Sequence, residues 1–225
     1  MPEPLGNIRP LLVEEIERLR DLVERLSEQQ LVLSTRCVGW RVADLVVHLR
    51  MSFEAVLMSL SGVVTAAEPN RDFVTYWSDW PARDAPGFAE VRFTWASTAA
   101  YSASAGLKRH FDDTARAAIE AVRTSPEARV PFQGHVMQTA DVLRMWATEF
   151  AVHHLDLLAE IDDGPCPTDD SLEIAATTLD RLLQAPRPAW WDLSTYILKA
   201  TGRVALLPED RSYLGTTAAA YPAFG

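Results

Sequence analysis

The chain runs to 225 residues, of which 48% are hydrophobic and 23% charged. That length suits one large domain or a domain with a small appendage, and the composition is that of a globular protein with ample core, which excludes disordered and fibrous classes. Twenty-one Lys and Arg stand against 31 Asp and Glu, a formal net charge of −10, so a phosphate backbone finds nothing general to bind and nucleic acid is not an expected partner.

The opening MPEPLGNIRP lacks the basic and apolar regions of a signal peptide, and no apolar run reaches the roughly 18 residues of a membrane span, so no membrane partner is expected. From Leu11 to about Leu33, the residues Leu12, Ile16, Leu19, Val23 and Leu26 recur at three- and four-residue steps, which predicts an amphipathic helix with Glu and Arg on its other face. The segment Ser34 to Trp40 breaks that period. It contains Cys37, which with Cys166 makes two distant cysteines outside any CxxC pair, and this points to a reducing, cytoplasmic setting. Val42, Leu45, Val46, Leu49, Phe53, Val56 and Leu57 restart the period for a second helix, to about Leu60.

Residues 66–88 hold Pro69, Pro81, Pro86 and Gly87 among Phe73, Tyr76, Trp77 and Trp80. This reads as a long irregular excursion that lines or covers something. From Glu90 to about Arg123 there is no proline and alanine is abundant, which predicts one long helix kinked near Gly106. A connection from Pro126 to Gly134 leads to a fourth helix, Thr139 to Ile161, ending before Asp162-Asp163-Gly164-Pro165. Beyond it come a helix from about Ser171 to Gln184, a break at Pro186 and Pro188, a segment from Leu193 to Ala200, and Arg203 to Leu207 as a candidate strand. The expected architecture is mainly α: a four-helix bundle with one long crossover over residues 1–164, then a small C-terminal α(+β) extension over 165–225.

Of the five histidines, His48 falls on or beside the apolar stripe of the second helix, and a buried imidazole needs a partner. Glu149 and His153 are spaced i, i+4 among Trp146, Phe150 and Val152, so both side chains occupy one apolar face of the fourth helix. A carboxylate facing a bundle interior is costly unless paired or bound to a metal. If the two helices face each other, His48, Glu149 and His153 offer two nitrogens and one carboxylate oxygen. That set matches both the catalytic zinc arrangement and the facial triad of non-haem iron enzymes. The plainer possibility is a buried Glu149–His153 hydrogen bond beside a satisfied core histidine.

His154, about 100° round the helix from His153, is expected at the surface or rim. Asp156, three residues after His153, is placed to accept that imidazole's second N–H, although a solvated helix position is the alternative. His110 and His135 show no partner in the sequence, and Trp190-Trp191 is read as pinning the tail to the bundle.

The segment Thr35-Arg36-Cys37-Val38-Gly39-Trp40-Arg41-Val42-Ala43-Asp44-Leu45-Val46-Val47-His48-Leu49 resembles the TPCPGWTVRDLVAHL signature of the mycothiol-dependent maleylpyruvate isomerase family, within the DinB-like helical bundles. Glu149-Phe150-Ala151-Val152-His153-His154-Leu155-Asp156-Leu157 is similar to that family's E-x-x-VH-x-x-DL helix. The two motifs cover roughly residues 8 to 162. The resemblance implies a DinB-like four-helix bundle in which His48, Glu149 and His153 bind a divalent metal, commonly zinc. It further implies that the metal activates mycothiol for transfer to, or thiol-assisted isomerisation of, an electrophilic small molecule.

The chain departs from the pattern at Trp146, where many members carry arginine, so an acidic substrate such as maleylpyruvate is less expected. Arg203, in a Thr201-Gly202-Arg203 turn like the tail of many relatives, is the candidate substrate or anion contact. A non-catalytic metal- or ligand-binding bundle, favoured by a fourth protein ligand such as His154 or Asp156, is one alternative function. Another metal-dependent reaction in the same pocket is the other.

Overall fold

Leu12, Ile16, Leu19 and Val23 bury one stripe of α1 (Ile8–Arg25) in the computed structural model, which describes residues 8–80 and 88–224. The helix is shorter than its apolar repeat predicts. Past Leu26, Ser27 and Gln30 cap each other: Ser27 Oγ accepts from Gln30 N at 3.2 Å and Gln30 Oε1 from Ser27 N at 2.9 Å. This reciprocal box starts the separate turn α2 (Glu28–Leu31).

The second long helix, α3 (Val42–Leu60), follows the sequence expectation. A tight loop feeds it. Thr35 Oγ1 donates to the Trp40 carbonyl at 3.0 Å and accepts from Cys37 N at 3.1 Å, while Gly39 takes φ +87°. Asp44 Oδ2 then accepts from Arg41 N at 2.9 Å at the helix start.

The excursion contains a 3-10 turn, Thr75–Asp79; Pro81, Pro86 and Gly87 lie outside the described residues. The predicted single third helix is two helices, α4 (Phe88–Ala99) and α5 (Ser104–Thr124), broken at residues 100–103 and not at Gly106, which sits inside α5. Helix propensity sets no direction. The chain has to turn between α4, lying against α3, and α5, lying against both α3 and α1, and Tyr101 at the break bonds His110 Nδ1 through its hydroxyl at 2.8 Å.

The expected connection before the fourth helix is in part a hairpin, β1 (Arg129–Phe132) and β2 (His135–Gln138), antiparallel with Phe132 opposite His135. Its two turn residues, Gln133 at φ 46° and Gly134 at φ 84°, both take the left-handed backbone that two-residue hairpin turns require. The excursion is fastened alongside: Asn70 N donates to the Val136 carbonyl at 2.9 Å and Val136 N to Asn70 Oδ1 at 3.0 Å.

The fourth bundle helix, α6 (Thr139–Leu157), stops short of Ile161. Helices α1 and α3 each lie between α5 and α6, closing a four-helix ring, and Phe53 fills its middle with ring centroids 5.2 Å from Phe111 and 5.1 Å from Phe150. The C-terminal part adds α7 (Asp169–Leu183), α8 (Leu193–Ala200) and α9 (Pro208–Leu214), then a 3-10 turn, Gly215–Ala220. Thr168 Oγ1 and Asp192 cap α7 and α8 by accepting from Ser171 N and Thr195 N. Helix α7 packs on α6 and α1, and Leu172, Ala175, Leu179, Tyr196 and Ile197 join the same hydrophobic core.

Arg203 to Leu207 is not a strand. Val204 and Leu207 are exposed, and Val204 N donates to the Leu198 carbonyl at the end of α8, where a strand would bond a neighbouring strand. Trp191 packs on Tyr196 and lies under the Lys199 ammonium, both on α8, so these contacts are within the C-terminal part itself, and Trp190 is exposed against Tyr213.

Candidate metal centre

Helices α3 and α6 bring His48, Glu149 and His153 together. His48 Nε2 and His153 Nε2 each lie 3.2 Å from the same Glu149 oxygen, Oε1, and the two imidazole rings meet edge to face at 4.8 Å. The three ligand-type atoms lie within 4.8 Å of one another. The side chains retain 26%, 19% and 9% of their exposure respectively, so solvent reaches the cluster from the His48 side.

The spacing fits a cation. Two donors about 2.0–2.2 Å from one tetrahedral zinc sit roughly 3.3–3.5 Å apart, close to the separations seen here, and two imidazole nitrogens with a carboxylate are a recognised zinc donor set.

Behind His153 stands the residue that orients it. Asp156, fully buried, accepts at Oδ2 from His153 Nδ1 at 3.0 Å, from the Cys37 thiol at 3.2 Å and from Arg203 Nε at 3.3 Å. This leaves His153 Nε2 aimed at Glu149. Arg203, the expected anion contact, therefore has a carboxylate of the protein itself as its anion, and its Nη1 donates to the Thr201 carbonyl at 3.0 Å. Cys37 had no role visible in the sequence. The 35–40 loop seats its thiol against Asp156 and 3.7 Å from His153 Nδ1, on the side away from Glu149.

The charges follow from these contacts. Burial pushes the Glu149 carboxyl up, but the two imidazoles beside it more than offset that and hold it well below the usual carboxylate range. Burial likewise pulls His153 down, yet Glu149 and Asp156 on its two nitrogens raise it well above an ordinary histidine. Burial outweighs its neighbours at His48, which is lowered, and at Cys37, where burial and the Asp156 charge raise the thiol.

His154 is not at the surface. It is fully buried, with Nδ1 2.7 Å from Glu15 Oε1 on α1 and Nε2 2.8 Å from the Pro165 carbonyl, while Thr168 N donates to Glu15 Oε2 at 2.8 Å. One residue's rotation does carry it off the site stripe, but toward α1 and the C-terminal part instead of water. Glu15, one of the glutamates of the first helix and not part of its apolar stripe, is fully buried as well. Neither His154 nor Asp156 joins the three-residue cluster. His110 pairs with Tyr101, and His135 Nε2 lies 3.2 Å from Asp79.

Aromatic rings flank the cluster. Trp40 lies 4.9 Å from the His48 ring, and Trp146 stacks on Phe150 at 5.5 Å. In the excursion, Tyr76 packs on Trp77 and on Phe132 of β1, and its hydroxyl donates to Gln133 Oε1 at 2.7 Å. Burial, with the nearby Glu149 charge added, pushes the Tyr76 phenol far up. Trp77 stacks in turn on Phe224 at 4.3 Å. Through Tyr76 the described part of the excursion comes within reach of the Glu149 charge.

Among the described residues no helix is long and apolar enough to cross a membrane. No curated protein matches the chain, and no solved structure does. Residues 12–158, from the second turn of α1 to the end of α6 and spanning all three clustered side chains, match the family described as mycothiol maleylpyruvate isomerase N-terminal domain. With that match covering well over half its length, the chain belongs to the mycothiol maleylpyruvate isomerase N-terminal domain family.

Proposed function

We propose that His48, Glu149 and His153 hold one divalent cation, with zinc the ion their donor set suits. On this reading the protein presents a low-molecular-weight thiol, mycothiol, to an electrophilic small molecule for S-transfer or thiol-assisted isomerisation. The observation that carries it is the convergence of two imidazole Nε2 atoms on one Glu149 oxygen at 3.2 Å each. Family membership supplies the thiol and the isomerase class of chemistry.

A cation held there supplies the positive charge that keeps a thiol ionised at neutral pH, so no separate base is needed. The rest falls to the chain. Asp156 fixes His153 by taking its Nδ1–H, which keeps Nε2 directed at the centre. Arg203 offsets the Asp156 charge and ties the C-terminal part to the back of the site. The Trp40 ring shields His48 on one side. Three protein ligands without a fourth among the described residues leave positions for thiol and substrate, which suits catalysis better than a closed structural site.

The test is elemental mass spectrometry on protein purified without added metal, beside a calorimetric titration with mycothiol. About one zinc per chain and thiol binding that disappears on chelation are expected. Absence of both overturns the reading and leaves a helical binding module, while a redox-active metal redirects it to an oxidative reaction.

A further inference from the structure

Trp146 lies three residues before Glu149 and seven before His153, so its ring continues the same face of α6 away from the centre. It is 4% exposed, and its indole N–H is buried without a hydrogen-bond partner among the described residues. Trp77, 6% exposed, has a second indole N–H in the same condition. Buried donors are almost always satisfied, so an open indole N–H on Trp146, three residues from Glu149, and another on Trp77, which packs on Tyr76, suit a partner that the protein itself does not supply.

The surroundings say what kind of partner. Phe132 meets Trp146 at 5.4 Å and Tyr76 at 5.4 Å, and Tyr76 meets Trp77 at 5.3 Å and Trp80 at 6.4 Å. This wall offers ring faces and N–H donors, and none of its side chains is cationic. The charged groups on the other side are Glu149, His153 and Asp156, with Arg203 set on Asp156. A carboxylate brought against this wall exchanges water for ring faces and two neutral indole donors, with no cationic side chain among them to pair with it.

Resting on the thiol reading above, we propose that Trp146 and Trp77, with Tyr76 and Phe132, form the electrophile's subsite. Its substrate class is an uncharged, planar conjugated carbonyl compound whose oxygen accepts from an indole N–H. In the reaction the thiol sulfur bonds the β carbon and the double-bond pair shifts toward the carbonyl oxygen. The proton given up by the thiol ends on the α carbon, so the adduct forms without any oxidant or reductant. A ligand reaches the buried N–H groups by parting the Tyr76 and Phe132 rings, which belong to a 3-10 turn and a four-residue strand.

The full chain is titrated calorimetrically with the unreactive ketone methyl 4-oxo-4-phenylbutanoate and with its free acid. The ester is expected to bind about tenfold or more tightly than the acid, and Trp146→Phe, which keeps a ring and removes the N–H, to weaken ester binding about tenfold. Circular dichroism and metal content stay unchanged in that variant, and Trp77→Phe serves as a second. No binding of either compound, equal or tighter binding of the acid, or undiminished ester binding in both variants overturns the subsite. Turnover of mycothiol with methyl 3-benzoylacrylate, the unsaturated counterpart, is measured separately. Ester binding without turnover defeats the thiol reading and leaves the subsite standing.

Discussion

Glu149 and His153 set the protonation of the centre. Both nitrogens of His153 face carboxylate oxygens, at 3.2 Å and 3.0 Å, so in the metal-free protein both carry hydrogen and the ring is cationic. A metal arriving at Nε2 has to displace that proton, whereas His48, lowered by burial, is already neutral near pH 7. Zinc binding at pH 7 is therefore expected to release about one proton. Affinity should rise roughly tenfold per pH unit below the raised His153 value and level off above it. Calorimetry in buffers of different ionisation enthalpy reads this directly, and a buffer-independent enthalpy would refute it. His48→Ala should abolish stoichiometric metal with the helical circular dichroism intact; retained metal would remove His48 from the ligand set. Asp156→Asn should weaken metal binding by about 10- to 100-fold, since the amide cannot match the carboxylate as acceptor for His153.

At the scale of elements, the loop before α3 is the most constrained piece of backbone near the site. Gly39 takes φ +87°, a Cβ there would stand 3.4 Å from Val91 on α4, and Trp95 Nε1 donates to the Gly39 carbonyl at 2.8 Å. Gly39→Ala should cost about 1–2 kcal/mol in urea unfolding from backbone strain alone, because an L side chain disfavours that conformation; an unchanged midpoint would mean the loop adapts freely. Periodicity made α3, α6 and α7 legible from the spacing of their apolar residues. It missed the hairpin, whose strands are four residues each with Pro131 inside, and whose turn rests on Gln133 tolerating positive φ. It also ran α1 through the Ser27–Gln30 box and joined α4 to α5, because apolar spacing reports which face is buried and not where the axis turns.

Over the whole molecule, α6 is the central element. It touches α1, α3, α7, α8 and both strands, and hardly a residue from Val142 to Leu157 is exposed. This explains why the clustering of Glu149 and His153 could be read from i, i+4 spacing and motif, while the burial of His154 could not: a helix buried all round has no solvent face to which a non-site residue can be assigned. Its other polar face is answered by Glu15. Both members of the Glu15–His154 pair are fully buried, so Glu15→Ala should cost about 3–5 kcal/mol in denaturant unfolding at pH 7 by stranding the imidazole. Glu14→Ala, from the exposed pair with Arg18, should stay within about 0.5 kcal/mol. Equal effects would show that the buried pair has no special weight.

That pair also fixes an order in time. Thr168 N meets Glu15 across 153 positions of chain, and at the roughly 5–20 residues per second of synthesis the carboxylate waits on the order of 8–30 s for its partner to be made. Until then the face of α1 that holds Glu15 lacks the backbone donor against which it is buried. A bundle that closed earlier would bury Glu15 without that donor, so this face of α1 is completed only once the start of α7 has been made.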